Sequence, residues 1–228
     1  GVSWLWPLST WPGQTADGVL LGDVIPREIS TGGRLRELLD IGGSTSGISW
    51  VVDPQALQVV ADMADGYLVR KEGDIRPGTA QEAAAEWTNT ARSTLGTGKK
   101  ARDKNPPEPP PLLALPYADV DADAALRAGL QNDVVRSVTS AGPVVRSVLG
   151  RDPDHTVAWA PGGRMDSASL ELLASSGVQG VILRERALPL TVAPTYTPTG
   201  TSDIATAAGP IRALIIDTGL LDSLDMAQ

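Results

Sequence analysis

Apolar residues fall along this chain in two alternating rhythms. Short unbroken runs, β-branched and aromatic in character, are each followed by stretches in which apolar positions recur every third or fourth residue. The first rhythm marks strands buried on both faces, and the second marks amphipathic helices. The first run, Val2 to Leu8, is closed by Pro7 and reads as a strand. It starts almost at residue 1, so the chain reads as a piece of a longer protein. A Gly-rich loop leads to a short helix over 34–41 that ends at Gly42-Gly43, and Ile48 to Val52 is the second strand. Asp53-Pro54 then supplies an N-cap and an N1 proline for a helix with Leu57, Val60, Ala61 and Ala64 on one face and Gly66 at its end. Thr79 and Glu82 have the spacing of a capping box. The helix they open carries Ala80, Ala83, Ala84, Trp87, Ala91 and Leu95 on its apolar face.

Residues 97–111 break the pattern with four basic residues and then five prolines. Such a stretch favours extended polyproline conformation and reads as an exposed insertion, because the same strand-and-helix style resumes on its far side. Leu112 to Tyr117 is the third strand. A helix over 122–130 comes next, then a longer one striped by Val134, Val138, Ala141, Val145 and Val148 and kinked or split at Pro143. Val157 to Ala160, Val181 to Leu183 and Ala213 to Ile216 are the remaining strands. Helices are expected over 166–176 and 219–226, and the Thr- and Pro-rich segment between Pro189 and Pro210 reads as loop or hairpin.

Six such strands separated by helices imply an α/β fold with parallel strands and helical crossovers. A doubly wound sheet and a (β/α) barrel, complete or lacking strands, both fit. The residues at the C-terminal strand ends favour the barrel: Trp6-Pro7, Trp50 to Asp53, Pro116 to Asp119, Trp159 to Pro161 and Asp217 all stand there, on the rim where barrels assemble sites. The 228 residues are taken as one barrel-like domain.

Composition narrows the chemistry. The net charge of −8 gives no excess of cations for a phosphate backbone, so nucleic acid is not an expected partner. Nowhere is there a run approaching the ~18 apolar residues of a membrane span. Cysteine is absent, which removes disulfides, thiolate metal sites and a cysteine nucleophile. The single histidine, His155, removes multi-histidine metal centres, and it precedes the fourth strand at the wrong rim for a barrel site. No metal or cofactor is expected.

Two residue classes remain. Asp53, Asp119, Asp121, Asp123 and Asp217 form an acidic set at or just after strand ends, where two carboxyl groups could face each other across a sugar as glycoside hydrolysis requires. Each could equally cap the helix behind it, most plainly Asp53 and Asp217. Asp119 is the best placed for chemistry, because Asp121 stands nearer the helix. The chain also has six Trp and no Phe. Trp6, Trp50 and Trp159, with Tyr117, are candidate sugar-stacking residues, although large aromatics also fill cores. Trp87 is read as core.

The series Trp4-Leu5-Trp6-Pro7-Leu8, Gly33-Arg34-Leu35, Trp50-Val51-Val52-Asp53-Pro54, Leu115-Pro116-Tyr117-Ala118-Asp119-Val120-Asp121 and Ile216-Asp217 resembles a family of uncharacterised actinobacterial envelope proteins. These are secreted, membrane-anchored proteins whose genes lie near that of the lipid II flippase. The core also resembles the β/α barrels of polysaccharide deacetylases and related glycoside hydrolases. The resemblance implies an extracytoplasmic location and a partner that is cell-wall glycan or an envelope protein. It carries over no catalytic residues, and the missing histidine pair departs from the deacetylase pattern. Two readings are open: a non-catalytic barrel that binds glycan or protein, and a metal-independent glycosidase using Asp119 with Asp53, Asp121 or Asp217.

Overall fold

The computed structural model describes residues 3–96, 109–188 and 199–225. The chain divides into two compact units, one of residues 1–118 and 140–154, the other of residues 119–139 and 155–228.

In the first unit the order is β1 (Trp4–Leu8), β2 (Leu20–Leu21), α1 (Val24–Ile29), α2 (Arg34–Ser44), β3 (Ile48–Val52), α3 (Pro54–Ala64), β4 (Leu68–Lys71), β5 (Asp74–Pro77), α4 (Gln81–Leu95) and β6 (Leu112–Ala114). β1, β3 and β6 are neighbours and all parallel, with Trp6 beside Trp50 and Trp50 beside Leu112. The runs of β3 and β6 are explained by burial on both faces: Trp50, Val52, Leu112 and Ala114, with Leu8 of β1, pack with Leu35, Leu39, Leu57, Val60, Trp87 and Leu95 of the helices, and Val51 and Leu113 are buried on the other face. β1 is less covered, with Trp4 exposed and only Leu8 fully buried. β2, β4 and β5 form a separate three-stranded sheet that the apolar pattern does not announce, because its strands are short and half polar.

Two helix signals, one stop and one start, are overridden here. α2 runs through Gly42-Gly43 to Ser44 where the glycines read as its end. A Cβ on Gly42 would sit 2.4 Å from the Trp50 ring and 2.7 Å from Trp6 Nε1, so this glycine lets two indoles close onto the helix. The capping box at the start of α4 does not form. Ala80 stands at the N-cap without a side-chain cap, and its N–H donates to the Tyr67 hydroxyl at 3.2 Å.

The second unit holds α5 (Ala122–Arg127) and the first part of α6 (Gln131–Leu149), then β7 (His155–Trp159), α7 (Ser167–Ser175), β8 (Gly180–Arg184), β9 (Thr201–Ile204), β10 (Ile211–Ile216) and α8 (Thr218–Asp225). β7, β8 and β10 are parallel neighbours, and β9 lies antiparallel on the outer edge of β10. α5 stops three residues short of the expected Leu130, where Gly129 takes a left-handed φ of 75°. α6 is not split at Pro143. Gly142 before it has no Cβ to meet the proline ring, which relieves that part of the strain.

All six expected strands are present and each pairs in parallel with at least one of the others, so the α/β class and the parallel arrangement hold. They do not close into a complete barrel among the described residues. In the second unit, β9 occupies the edge of β10 that a further parallel strand would need. Most of the Lys- and Pro-rich insertion, residues 97–108, and residues 189–198 of the Thr- and Pro-rich segment lie outside the described residues. Where the chain returns at β6 it is tied down firmly. The Arg151 guanidinium donates through Nη1 to the carbonyls of Leu95 and Pro110, at 3.2 and 3.0 Å. Through Nη2 it meets both oxygens of Asp154, whose Oδ2 accepts the Leu112 N–H at 2.8 Å.

Candidate functional site

The C-terminal ends of β1, β3 and β6 are held together by backbone bonds. The Asp53 N–H donates to the Leu8 carbonyl, and the Leu115 N–H to that of Val52, each at 2.9 Å. Asp53 leaves β3 in an extended conformation and caps α3, its Oδ1 accepting the Gln55 N–H at 2.9 Å. The same oxygen accepts the Ala118 N–H at 3.1 Å. Asp53 is 1% exposed, so its carboxylate is a buried tie between a strand end, a helix start and the turn after β6.

That turn is strained. Ala118 and Asp119 have φ of 64° and 44°, both in the left-handed region that non-glycine residues rarely adopt. Strain of this kind costs on the order of 1–3 kcal/mol per residue and persists only where surrounding structure imposes it. The Asp53 bond to Ala118 is one such constraint. Tyr117, half-buried beside it, has its phenol pKa raised by burial first and then by the negative charges of Asp53 and Asp62. Asp119 is exposed as a residue, yet the protein around its carboxyl pushes its pKa above the ordinary 3.8. Among the described residues no hydrogen bond or ion pair holds it.

In the second unit Asp121 Oδ1 accepts the Ala124 N–H at 3.0 Å and caps α5, and Asp217 Oδ1 accepts the Leu220 N–H at 3.0 Å within the first turn of α8. Trp159 is half-buried at the end of β7. It is followed by Gly162 and Gly163, both left-handed, with Gly163 lying under the Arg184 side chain. His155 is exposed at the opposite end of the same strand.

Of the candidate aromatics, Trp50 is not available to a ligand. It is 1% exposed and packed against Gly42. Trp6 is half-buried, and its Nε1 donates to the Leu38 carbonyl at 2.9 Å, so it is tied to α2. Tyr117 and Trp159 keep part of their rings accessible at strand ends, one in each unit. Asp53 likewise belongs to the first unit, while Asp119, Asp121 and Asp217 belong to the second.

The sequence pattern did not point to two clefts of the first unit. The larger, about 660 Å³, lies between α1, the β4–β5 hairpin and the start of α4, with Arg27, Lys71, Arg76, Glu82 and Tyr67 on its walls. The smaller, about 290 Å³, is lined by Asp17, Asp62, Tyr67 and Leu68. Neither includes a candidate Asp or Trp. Only the Glu72-Gly73 turn between β4 and β5 could have signalled the hairpin that shapes the larger one. Among the described residues no cluster of three or more His, Asp or Glu is placed to hold a metal ion, and no helix is long and apolar enough to cross a membrane.

In three dimensions the chain is similar to the novel alpha-amylase AmyC from Thermotoga maritima, with a TM-score of 0.49 and 11% sequence identity. The match covers 96% of this chain and 46% of that one, so the chain spans less than half of its length. None of the curated proteins matches the sequence. Residues 24–226 match the model of a family described as "Family of unknown function (DUF6049)", and the chain belongs to that family.

Proposed function

We propose that this domain is an extracytoplasmic module of the cell envelope that binds glycan without cleaving it. The burial of Asp53 carries this reading. A glycosidase needs two carboxyl groups with access to the sugar. Asp53 has no access, since its Oδ1 is spent on Gln55 and Ala118 inside the protein. Asp121 and Asp217 each give an oxygen to the first turn of a helix. Tyr117 and Trp159 offer partly open rings of the kind that stack on sugars. The envelope setting rests on the resemblance of the motifs from Trp4-Leu5-Trp6-Pro7-Leu8 to Ile216-Asp217, and a protein of that compartment is the other class of partner it admits.

The test is calorimetric titration of the chain with soluble peptidoglycan fragments, with the same mixtures analysed by mass spectrometry for shortened products. Saturable heat that Tyr117→Ala or Trp159→Ala reduces, with no product, is the expected result. No response to any envelope glycan would overturn the reading.

A second reading has one observation in its favour. Asp119 sits in a strained turn with its carboxyl held protonated to higher pH than usual, which is what a general acid in glycoside hydrolysis requires. Under that reading shortened products appear, and Asp119→Asn removes them.

A further inference from the structure

The small sheet of the first unit turns one face to the core and the other to solvent, and the solvent face is apolar. Strand register sets Leu20, Val69 and Arg76 in one row, and Leu21, Arg70 and Ile75 in the row on the opposite face. Leu20 and Val69 are buried in the core. Leu21, Leu68 and Ile75 are exposed at 49%, 46% and 49%. Leu68 shares the outer face with Pro77, its partner across the hairpin. Trp11, 75% exposed, adjoins this face through Gly13, whose carbonyl accepts the Leu21 N–H at 2.7 Å. The position of the absent Gly13 Cβ is 4.0 Å from both the Trp11 ring and the Leu21 carbonyl oxygen. Leu21 and Ile75, its partners across the register, and Leu68, two residues along its strand, thus stand around one cation, Arg70, with Trp11 beyond Gly13. Arg70 makes no salt bridge among the described residues, although Asp17 feels its charge through space.

The hairpin that carries this face is pre-shaped. Glu72 and Gly73 both take positive φ, 51° and 93°, which matches a two-residue turn of the type that follows the twist of its strands. Its free edge is poor at pairing with another strand. Gly78 donates to the Tyr67 carbonyl at 2.8 Å, so the alternation turns the backbone of Ile75 and Pro77 outward, and Pro77 has no N–H to offer. An occupant is therefore held by the side chains of the face and not by strand addition. Three half-exposed aliphatics and one Trp are few beside the ~20–30 residues a side of a stable interface between folded proteins, which favours a short segment over a second copy.

Charge selects the chemistry of that segment. The protein carries −8 overall, so long-range attraction favours basic ligands everywhere. At this face the local cation favours the opposite sign. We propose that the face of Leu21, Leu68, Ile75 and Trp11 docks a short apolar segment of a partner protein whose carboxylate meets Arg70. Trp and Arg are the residue types that dominate such contacts.

The test uses the whole chain to select binders from a library of random displayed peptides, with affinities of the synthesised peptides read by fluorescence anisotropy. The selected peptides are expected to place Asp or Glu between aliphatic or aromatic residues. Arg70→Glu or Ile75→Asp should weaken them at least tenfold. A peptide with its acid changed to Lys should regain affinity for Arg70→Glu. All the substituted side chains are exposed, so melting followed by circular dichroism should match the parent. Several results would overturn the proposal: binders that are basic or lack an acid, or binders that neither substitution weakens. So would a concentration-dependent dimer in sedimentation that Ile75→Asp abolishes, or an envelope glycan whose binding the same substitution removes.

Discussion

Asp53 is the residue on which the strand ends of the first unit depend, and its replacement gives a graded test. In Asp53→Ala, α3 loses its N-cap, worth about 1 kcal/mol. The Ala118 N–H also loses its acceptor in a half-buried position, which costs a further ~1–3 kcal/mol depending on whether water reaches it. The expected sum is about 2–4 kcal/mol, a large part of the ~5–15 kcal/mol that holds a typical domain folded. In Asp53→Asn an oxygen of the same shape can still accept from both N–H groups, and the chief loss is the negative charge at a helix start, ~0.3–1 kcal/mol. Asparagine should therefore cost less than half of what alanine costs. Urea unfolding followed by tryptophan emission reads this directly, because Trp50 lies on the strand that Asp53 terminates. Amide exchange at Ala118 adds a local readout: about 1.4 kcal/mol of lost restraint accelerates it roughly tenfold. The reasoning fails if alanine costs under ~0.5 kcal/mol, or if asparagine is as damaging as alanine, since the hydrogen bonds would then not be the cause.

Gly42→Ala sets helix propensity against packing. The ~1 kcal/mol that alanine gains over glycine in α2 is outweighed by a Cβ driven to 2.4 Å from Trp50, so calorimetric melting should show net loss, of ~1–3 kcal/mol. Gly43→Ala, whose Cβ meets the Thr94 side chain, its methyl at 3.1 Å and its hydroxyl at 3.5 Å, should be neutral or gain up to ~1 kcal/mol. For Asp119 the raised carboxyl pKa means that the folded chain holds this proton to higher pH than the unfolded one. Its contribution to stability falls as pH rises from about 3.8 through the raised value, and the ionised penalty stays at neutral pH. Asp119→Asn removes that slope and tolerates the left-handed backbone better, so it should melt higher at pH 7 with a flatter acid profile; an unchanged profile would refute this. Arg151→Ala strands two carbonyls and the half-exposed Asp154, at an expected ~2–4 kcal/mol by denaturant midpoint, and Arg151→Lys should recover only a minor part because one ammonium cannot reproduce the fork.

Much of the fold is local chemistry, and that part is readable from the chain alone. A strand buried on both faces has to be apolar throughout, so β3, β6 and β8 announce themselves as runs. β1, β7 and β10 are apolar enough to be read the same way, although each keeps exposed or half-buried positions. Asp53-Pro54 and Asp121 sit in front of helices and cap them, since a short acceptor before an uncapped N–H needs no distant partner. The composition of one histidine and no cysteine likewise settled which metal chemistries to leave aside. Tertiary structure decided the rest. Nothing near Gly42 says that two indoles will press on it, and only that packing carries α2 past its stop signal. Trp50 and Trp11 are the same residue type, yet Trp50 is sealed in the core on β3 and Trp11, in the loop after β1, stands in solvent, because burial depends on what folds over each position. The second bond of Asp53, made to Ala118 across 65 residues of chain, is equally invisible in the order of residues. Local preference places the elements. That Asp53 is sealed in the protein, and that Trp6 is tied to α2 while Trp50 is closed off, is set by contacts between residues far apart in the chain.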